Sequence, residues 1–305
     1  MFFSKPKKLI THDGGFHTDD IFAHATLSLY LEKMGKKYTL TRTRDEKKIS
    51  EGDFVFDVGG VYDSAHGRFD HHQKGGAGIR ENGIPYAAFG LVWKTFGESI
   101  CGDATIASDI DRKYAQPIDA NDNGVDVYTS NIEGVSPVTF QDIAGTFYPE
   151  EGASEEAYYN AFIKLSNLAK DILEKSILKT KKQFEVNQYM KGLYEVAEDK
   201  RMIVVDRKYG RFAVTMGALD LPEALYIVYP SVKKSDEWNI CATRKSIETM
   251  ESKKPFPESW AGLHNQELAK VSGVPGAFFC HNGRFLCAAS SKADAINLAK
   301  LAIND

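Results

Sequence analysis

The chain has 305 residues, more than a single hydrophobic core usually serves, so its length predicts two domains. Hydrophobic residues make up 43% and charged residues 26% of the chain, which is the composition of an ordinary globular protein. The formal net charge of -4 excludes a bulk electrostatic attraction to nucleic acid. A polyanion would therefore have to bind at a local basic patch or at bound metal.

The first half of the chain alternates strand-like and helix-like segments. The predicted elements are a strand at 8–11, a helix at 19–34, strands at 38–44 and 54–58, and a helix at 87–96. A loop that contains glycine, 12–18, joins the first strand to the first helix. Alternation of this kind predicts α/β architecture, with a mostly parallel sheet flanked by helices.

The second half begins with a stretch, 154–198, that is rich in Lys, Leu, Ala and Glu and has no Pro or Gly before Gly192. This composition predicts one or two long helices joining the halves. Strands are predicted at 201–205, 224–229 and 238–243, and a helix at 293–303. We therefore predict a first domain at 1–150, a long helical connector at 151–198 and a second, smaller α/β domain at 199–305.

The four cysteines are scattered and form no Cys-x-x-Cys pair. This pattern indicates reduced thiols rather than a disulfide framework or a zinc knuckle. The N-terminus lacks the apolar segment of a signal peptide, and no apolar stretch approaches the ~20 residues of a membrane helix. We therefore expect a cytoplasmic protein that has no membrane partner.

Four clusters of His and Asp are expected to follow predicted strands, where ligands gather in open parallel sheets. They are His12, His17, Asp19 and Asp20; Asp57; Asp70-His71-His72; and Asp119-Ala120-Asn121-Asp122-Asn123-Gly124. Each cluster alone has an ordinary explanation, because Asp caps helices and Asp-Asn-Gly forms turns. Together they are hard to explain by packing, since neighbouring buried carboxylates repel one another.

A divalent cation would remove that repulsion. Mixed His and Asp ligands suit Mn²⁺, Fe²⁺, Co²⁺ or Zn²⁺, whereas sets made only of carboxylates suit Mg²⁺ or Ca²⁺. We expect one or two divalent ions and favour Mn²⁺, with Mg²⁺, Co²⁺, Fe²⁺ and Zn²⁺ as alternatives.

The clusters resemble those of the MYG1 family, which belongs to the wider DHH phosphoesterases, named for the triplet seen at 70–72. Four motifs occur in the order of the family, at 11–20, 56–60, 69–73 and 119–124. Segments 260–263 and 272–277 extend the resemblance over nearly the whole chain. It implies a DHH phosphoesterase-like, metal-binding catalytic domain at 1–150, a substrate-binding domain at 199–305, and 3′–5′ exonuclease activity on RNA.

The resemblance also implies roles for single residues. The metal ligands would be His12, His17, Asp19, Asp57, His71 and Asp122. Asp57 would bridge two ions and His72 would face the substrate phosphate, which makes these two the catalytic candidates. Arg68 and Lys74 are further candidates for neutralising phosphate charge. Asp70 would orient an imidazole by a hydrogen bond, and Asp119 is a second supporting residue.

Two features depart from the wider superfamily. His17 stands where an Asp is usual, which adds a nitrogen ligand, removes a negative charge and bears on the identity and number of the metals. The region 285–290 lacks the Gly-Gly-His stretch with which many DHH enzymes contact substrate. This difference leaves open how the C-terminal domain would hold a substrate.

The sequence therefore predicts a metal-dependent phosphodiesterase, a 3′–5′ exonuclease that holds RNA or a short oligonucleotide in a cleft between the domains. One alternative is a small-molecule phosphohydrolase acting on pyrophosphate or a cyclic dinucleotide. Another is a non-catalytic, metal-stabilised RNA-binding protein, because a structural ion is saturated by protein ligands whereas catalysis needs an open position. A homodimer is left open as well.

Overall fold

The first part of the chain folds around one five-stranded sheet in the computed structural model, which describes residues 5–305. Its strands are β1 (Lys7–Thr11), β2 (Tyr38–Arg42), β3 (Phe54–Phe56), β4 (Tyr62–Asp63) and β5 (Arg68–Phe69). They lie in the order β2-β1-β3-β5-β4, with β4 antiparallel to β5 and the other pairs parallel. The predicted mostly parallel sheet is therefore confirmed.

Helices flank this sheet, and the first of them is buried on two sides. The helices are α1 (Thr18–Lys33), α2 (Glu46–Ser50), α3 (Ala88–Cys101), α4 (Ala104–Ile110), α5 (Gln116–Asp122) and α6 (Phe140–Gly145). Ala23 and Leu27 of α1 pack with Leu9 of β1, whereas Phe22 packs in a second cluster with Phe162. The polar first turn of α1 is therefore carried into the protein interior.

A single long helix, α7 (Glu155–Val196), follows, where the sequence left open one helix or two. The chain divides into two compact units inside this helix, one ending at Thr180 and the other beginning at Lys181. Phe162 and Leu173 of α7 belong to a core cluster of the first unit, and Met190 belongs to one of the second. The three-part division at 150 and 198 remains a prediction about functional domains.

The second unit contains a five-stranded sheet that is mainly antiparallel. Its strands are β6 (Met202–Val204), β7 (Tyr226–Pro230), β8 (Trp238–Ala242), β9 (Ala277–Cys280) and β10 (Leu286–Ala289), and its helices are α8 (Arg211–Gly217), α9 (Asn265–Ser272) and α10 (Lys292–Asn304). The order is β6-β7-β8-β10-β9, and only β6 and β7 run parallel. The second α/β unit is thus confirmed, although the sequence did not predict β9 and β10.

The two faces of this second sheet are covered by different helices. Leu268 of α9 and Leu298 of α10 pack in one cluster with Tyr226, whereas Val214 of α8 packs in another with Ile227. Neighbouring residues of a strand point to opposite faces, which explains why Tyr226 and Ile227 belong to different clusters. Among residues 5–305, no helix combines the length and apolar character that a membrane crossing requires.

A buried histidine of α1 predicts how the stability of the fold depends on pH. His24 Nδ1 lies 2.5 Å from Ser166 Oγ, and Nε2 has no hydrogen-bond partner in the described chain. Burial, assisted by the charge of Lys170, lowers the pKa of His24 from 6.5 to about 3. Below pH 6.5, His24 therefore binds a proton in the unfolded chain but stays neutral in the folded chain. As a result, the free energy of unfolding falls as the pH falls towards 3.

We expect His24→Gln to remove this part of the pH dependence. Between about pH 7 and pH 5, the free energy of unfolding should fall by about 2 kcal/mol less in the variant than in the wild type. Urea denaturation at the two pH values measures this difference, and each protein serves as its own reference at the higher pH. Equal losses in the two proteins would show that His24 does not stay neutral in the folded chain.

Candidate metal centre

Imidazole and carboxylate side chains meet at one edge of the first sheet. His12 follows β1, Asp57 follows β3, and His71 and His72 come soon after β5. Because these three strands are parallel neighbours, their carboxyl ends lie at the same edge. His17 and the first turn of α1 follow the short loop that leaves β1, so they lie at this edge too.

Asp122 reaches the site from a helix. It is the last residue of α5, and its Oδ2 lies 3.2 Å from His71 Nε2. The expectation that all four clusters follow strands is therefore wrong for the cluster at 119–124. The reason is that α4, a π-helical turn at 111–115 and α5 follow one another without a break, so the chain reaches Asp122 at the end of a helical run rather than at the end of a strand.

Three overlapping groups of side chains could hold metal ions. The ligand atoms within each group lie within 4.8 Å of one another, and the groups are His12, His17 and Asp57; Asp57, His71 and His72; and His17, Asp19 and Asp122. The structure thus brings together all six side chains predicted as ligands, and His72 with them. Asp57 and His17 are each shared by two groups, an arrangement that suits more than one ion.

Asp57 combines an unusual backbone with a central position. Its φ of 53° is in the left-handed region, which costs about 1–3 kcal/mol in most residues and is found mainly at functional sites. Its Oδ2 lies 3.1 Å from His12 Nε2, and its Oδ1 lies 3.3 Å from His71 Nε2. Burial alone would raise the pKa of Asp57, but the hydrogen bonds with these two imidazoles outweigh it and hold the pKa well below its usual range.

No hydrogen bond within the described chain offsets the cost of burying the Asp19 carboxylate. It is fully buried, and neither of its oxygens has a hydrogen-bond partner in the described chain; His71 Nε2 is 3.9 Å from Oδ2. Burial and repulsion from Asp57 and Asp122 raise the pKa of Asp19 well above its usual value. Asp57 Oδ1 and His71 Nε2 are likewise buried and lack well-aligned hydrogen bonds. These oxygen and nitrogen atoms are suitable ligands for a divalent cation.

Histidines are the ion-pair partners of these carboxylates. Within residues 5–305, every ion pair of four carboxylates at the site is with a histidine; the four are Asp19, Asp20, Asp57 and Asp122. Burial alone would lower the pKa of His12 and of His71, but their Asp partners raise each pKa to about 10. A divalent cation at the same atoms would take over this role in exchange for protons.

Asp20 belongs to the site; the sequence placed it in the first cluster but gave it no role of its own. It is fully buried, its Oδ2 lies 3.2 Å from His12 Nε2, and its Oδ1 accepts a hydrogen bond of 3.0 Å from the amide of His17. Asp20 thereby links the two histidines of the first motif. The signal in the sequence is its place three residues after His17 at the helix start, where an acidic side chain reaches back to the capping residue.

Asp70 holds the turn of the Asp-His-His triplet. Its Oδ1 accepts hydrogen bonds from the amides of His71, at 2.7 Å, and His72, at 3.1 Å, and lies 2.7 Å from His72 Nδ1. The imidazole that it orients is therefore that of His72, whose side chain is 62% exposed. His17 is exposed as well, so the cluster opens to solvent at these two residues.

Three other predicted site residues do not belong to any of the three candidate ligand groups. Arg68 donates hydrogen bonds to backbone carbonyls, among them that of Gly52, and Lys74 is exposed. Asp119 is buried and pairs with Arg80 Nη2 at 2.7 Å, while its Oδ1 accepts a hydrogen bond of 2.9 Å from the amide of Gly90. The Asp119 carboxylate thus joins the start of α3 to α5, the helix that ends in Asp122.

Arg42 supports the first motif, which the sequence did not indicate. Its Nη2 donates to the carbonyls of Gly14, at 3.0 Å, and Gly15, at 2.9 Å, in the loop between His12 and His17. It does so from the end of β2, the strand that pairs with β1. The sequence could not predict this contact, because Arg42 is distant from the loop along the chain.

Comparisons with known proteins agree with the motifs. Residues 8–303 match the family model described as MYG1_exonuc, Uncharacterised protein family (UPF0160). A MYG1 protein of Chlamydia pneumoniae is 29% identical over 98% of this chain and 98% of its own length. The MYG1 exonuclease of Homo sapiens is 26% identical over 97% of this chain and 85% of its own length.

Two solved structures of RecJ show limited likeness. RecJ in complex with Mn²⁺ from Thermus thermophilus has a TM-score of 0.29 and 10% identity, over 98% of this chain and 52% of that one. This chain thus spans about half the length of that RecJ. Exonuclease RecJ bound to manganese has a TM-score of 0.28 and 10% identity, over 98% of this chain and 91% of that one.

Because the family model spans nearly the whole chain, the protein belongs to the family described as MYG1_exonuc, Uncharacterised protein family (UPF0160).

Proposed function

We propose that this protein is a metal-dependent phosphodiesterase that removes nucleotides from the 3′ end of RNA or short oligonucleotides. The observation that carries the proposal is the set of overlapping His and Asp groups in which Asp57 and His17 are shared. The name of the human relative, MYG1 exonuclease, supports the exonuclease class. The exposure of His17 and His72 favours catalysis over a purely structural ion, which protein ligands would enclose.

In this proposal the chain provides both the ligands and the contact with the substrate. The ligands are His12, His17, Asp19, Asp57, His71 and Asp122, and their mixture of nitrogen and oxygen atoms leads us to favour Mn²⁺. Bound divalent ions supply a nucleophile at neutral pH and neutralise phosphate charge. His72, whose Nδ1 is engaged by Asp70, keeps its other ring nitrogen for a phosphate oxygen of the substrate.

The test of this function is a panel of substrates incubated with the purified protein and Mn²⁺. The panel contains single-stranded RNA, single-stranded DNA, a dinucleotide and pyrophosphate. RNA labelled at the 5′ end should give a ladder of shortened labelled products, whereas release of a labelled mononucleotide at once would mean attack from the 5′ end. Cleavage of pyrophosphate alone would favour the small-molecule phosphohydrolase, and no cleavage at all would refute the enzyme.

His72→Ala separates substrate contact from metal binding. We expect turnover of RNA to fall by about 10²- to 10³-fold, because one preorganised group at the phosphate is removed. The metal content, measured by elemental analysis after dialysis, should stay that of the wild type. His66→Ala is a matched control, since His66 is an exposed histidine of the same region, paired with Asp63. Loss of metal from His72→Ala would show that His72 is a ligand instead.

A further inference from the structure

We propose that the second unit carries a separate binding surface for single-stranded nucleic acid, which we call the aromatic-basic strip. It consists of Arg207, Arg211, His264, Phe279, His281 and Phe285. Its relevance to the reaction rests on the proposed function, because that function makes a single strand the substrate. Its ability to bind a strand does not depend on catalysis.

The rings of the strip form an unbroken series of contacts. The ring centroids of His264 and Phe279 are 5.3 Å apart, those of Phe279 and His281 6.3 Å, and those of His281 and Phe285 4.2 Å. Phe279 and His281 are two residues apart along β9 and its end, so they point to the same side of the sheet. Cys280 between them points to the opposite side and is fully buried in the core.

Core packing does not account for these rings. His264 and His281 are exposed, and Phe279 and Phe285 are only partly buried. The core clusters of the second unit, as far as residues 5–305 show them, contain none of the four. Aromatic side chains usually bury most of their surface, so a contiguous series at the surface indicates a binding role.

Positive charge accompanies the rings. The guanidinium carbon of Arg211 lies 4.9 Å from the ring centroid of Phe285. Arg207 is included for its place four residues before Arg211; its own guanidinium carbon lies 4.3 Å from the ring centroid of Tyr189 of α7, which is not a ring of the strip. Both arginines are exposed. Arg207 and Lys208 lie between β6 and α8, Arg211 is the first residue of α8, and residues 207–211 include no acidic residue. Asp206, the carboxylate next to it, forms its ion pair with Lys292 instead.

The distribution of charge along the chain favours this location. The second unit carries more Lys and Arg than Asp and Glu, whereas the first unit carries fewer. Outside the metal centre, the first unit therefore attracts a polyanion less than the second does. A local basic patch of the kind that the net charge of -4 requires is thus available in the second unit.

Single-stranded nucleic acid is the ligand whose chemistry matches both features. Guanidinium groups bind backbone phosphates, and unpaired bases stack on aromatic rings with little regard to sequence. A duplex hides the faces of its bases, and an acidic peptide would use the cations without the rings. The strip therefore predicts a preference for single strands long enough to occupy it, and no benefit for a dinucleotide.

The test measures binding without hydrolysis. Fluorescence anisotropy with a labelled oligouridylate of about 20 nucleotides, in EDTA, gives the dissociation constant. We expect Arg207→Gln combined with Arg211→Gln to weaken binding by about 10-fold and to reduce the slope of log K against log salt by about 0.7 for each phosphate that the protein no longer neutralises. Lys270→Gln combined with Lys300→Gln removes equal charge from α9 and α10, on the other face of the sheet, and should leave binding unchanged.

His281→Ala isolates the contribution of stacking. It removes an exposed ring, so the protein should keep its salt slope but bind the oligouridylate at least about 5-fold more weakly. The His281 ring also accepts a hydrogen bond of 2.9 Å from the amide of Gly283, so the melting temperature is measured alongside to confirm that the variant is folded at the temperature of the binding assay. Unchanged affinity in both strip variants, equal affinity for duplex RNA, or competition by polyphosphate as strong as by RNA would each overturn the strip. Wild-type binding without any hydrolysis would refute only the proposed function, whereas hydrolysis together with unaffected strip variants would refute only the strip.

Discussion

Asp57→Asn is expected to lower metal-stimulated hydrolysis of RNA by about 10³-fold or more, the scale on which removal of a central catalytic group acts. The Asp57 carboxylate belongs to two of the three candidate ligand groups, and its two oxygens lie beside His12 and His71. An amide would not replace this carboxylate in both groups, because its NH2 nitrogen has no free lone pair for a cation and the side chain carries no negative charge.

Asn is the informative replacement because the backbone at this position has a φ of 53°. Asn adopts the left-handed conformation about as readily as Asp, so the loss of activity would not come from a changed chain path. Asp63→Asn is the matched control, since Asp63 lies nearby in sequence, is partly exposed and pairs with His66. Turnover and melting temperature are measured together, and a folded Asp57→Asn protein with full activity would refute the assignment of Asp57.

Asp19→Asn should stabilise the metal-free protein and reduce its stabilisation by metal. Asp19 is fully buried and neither oxygen has a hydrogen-bond partner among the described residues, so its burial costs free energy that an amide of the same shape avoids. In the wild type, an ion at 100-fold its dissociation constant should add about 2.7 kcal/mol to the free energy of unfolding. The variant should gain less from the same ion, because it loses one of the three candidate ligand groups, whereas the two groups without Asp19 remain.

Thermal melting with EDTA and with Mn²⁺ measures both effects in one experiment. Asp126→Asn is the control, since Asp126 is an exposed carboxylate four residues after Asp122 and should change neither curve. A metal-induced rise in melting temperature that is the same in Asp19→Asn and in the wild type would exclude Asp19 as a ligand. A lower melting temperature of the variant in EDTA would show that the Asp19 carboxylate is compensated in the folded chain.

Much of the candidate site could be predicted from local patterns. His12 and Asp57 each follow a short apolar strand, and side chains that follow parallel neighbouring strands share one edge of the sheet. The residue types, His and Asp from several separate segments, indicated metal chemistry before any geometry was known. Family resemblance then supplied the roles, and the family itself is confirmed by the match over residues 8–303.

Contacts between segments distant along the chain could not be predicted in this way. Arg42 donates hydrogen bonds to the carbonyls of Gly14 and Gly15, and Arg80 pairs with Asp119. The sequence around each of these residues does not indicate which partner it contacts. The same holds for the aromatic-basic strip, because β9 and β10 went unpredicted. Residue types and the ends of strands are local properties, so they can be predicted from the amino-acid sequence. Which charge meets which across the fold depends on how helices and strands pack, and that follows from the burial of apolar surface over the whole chain.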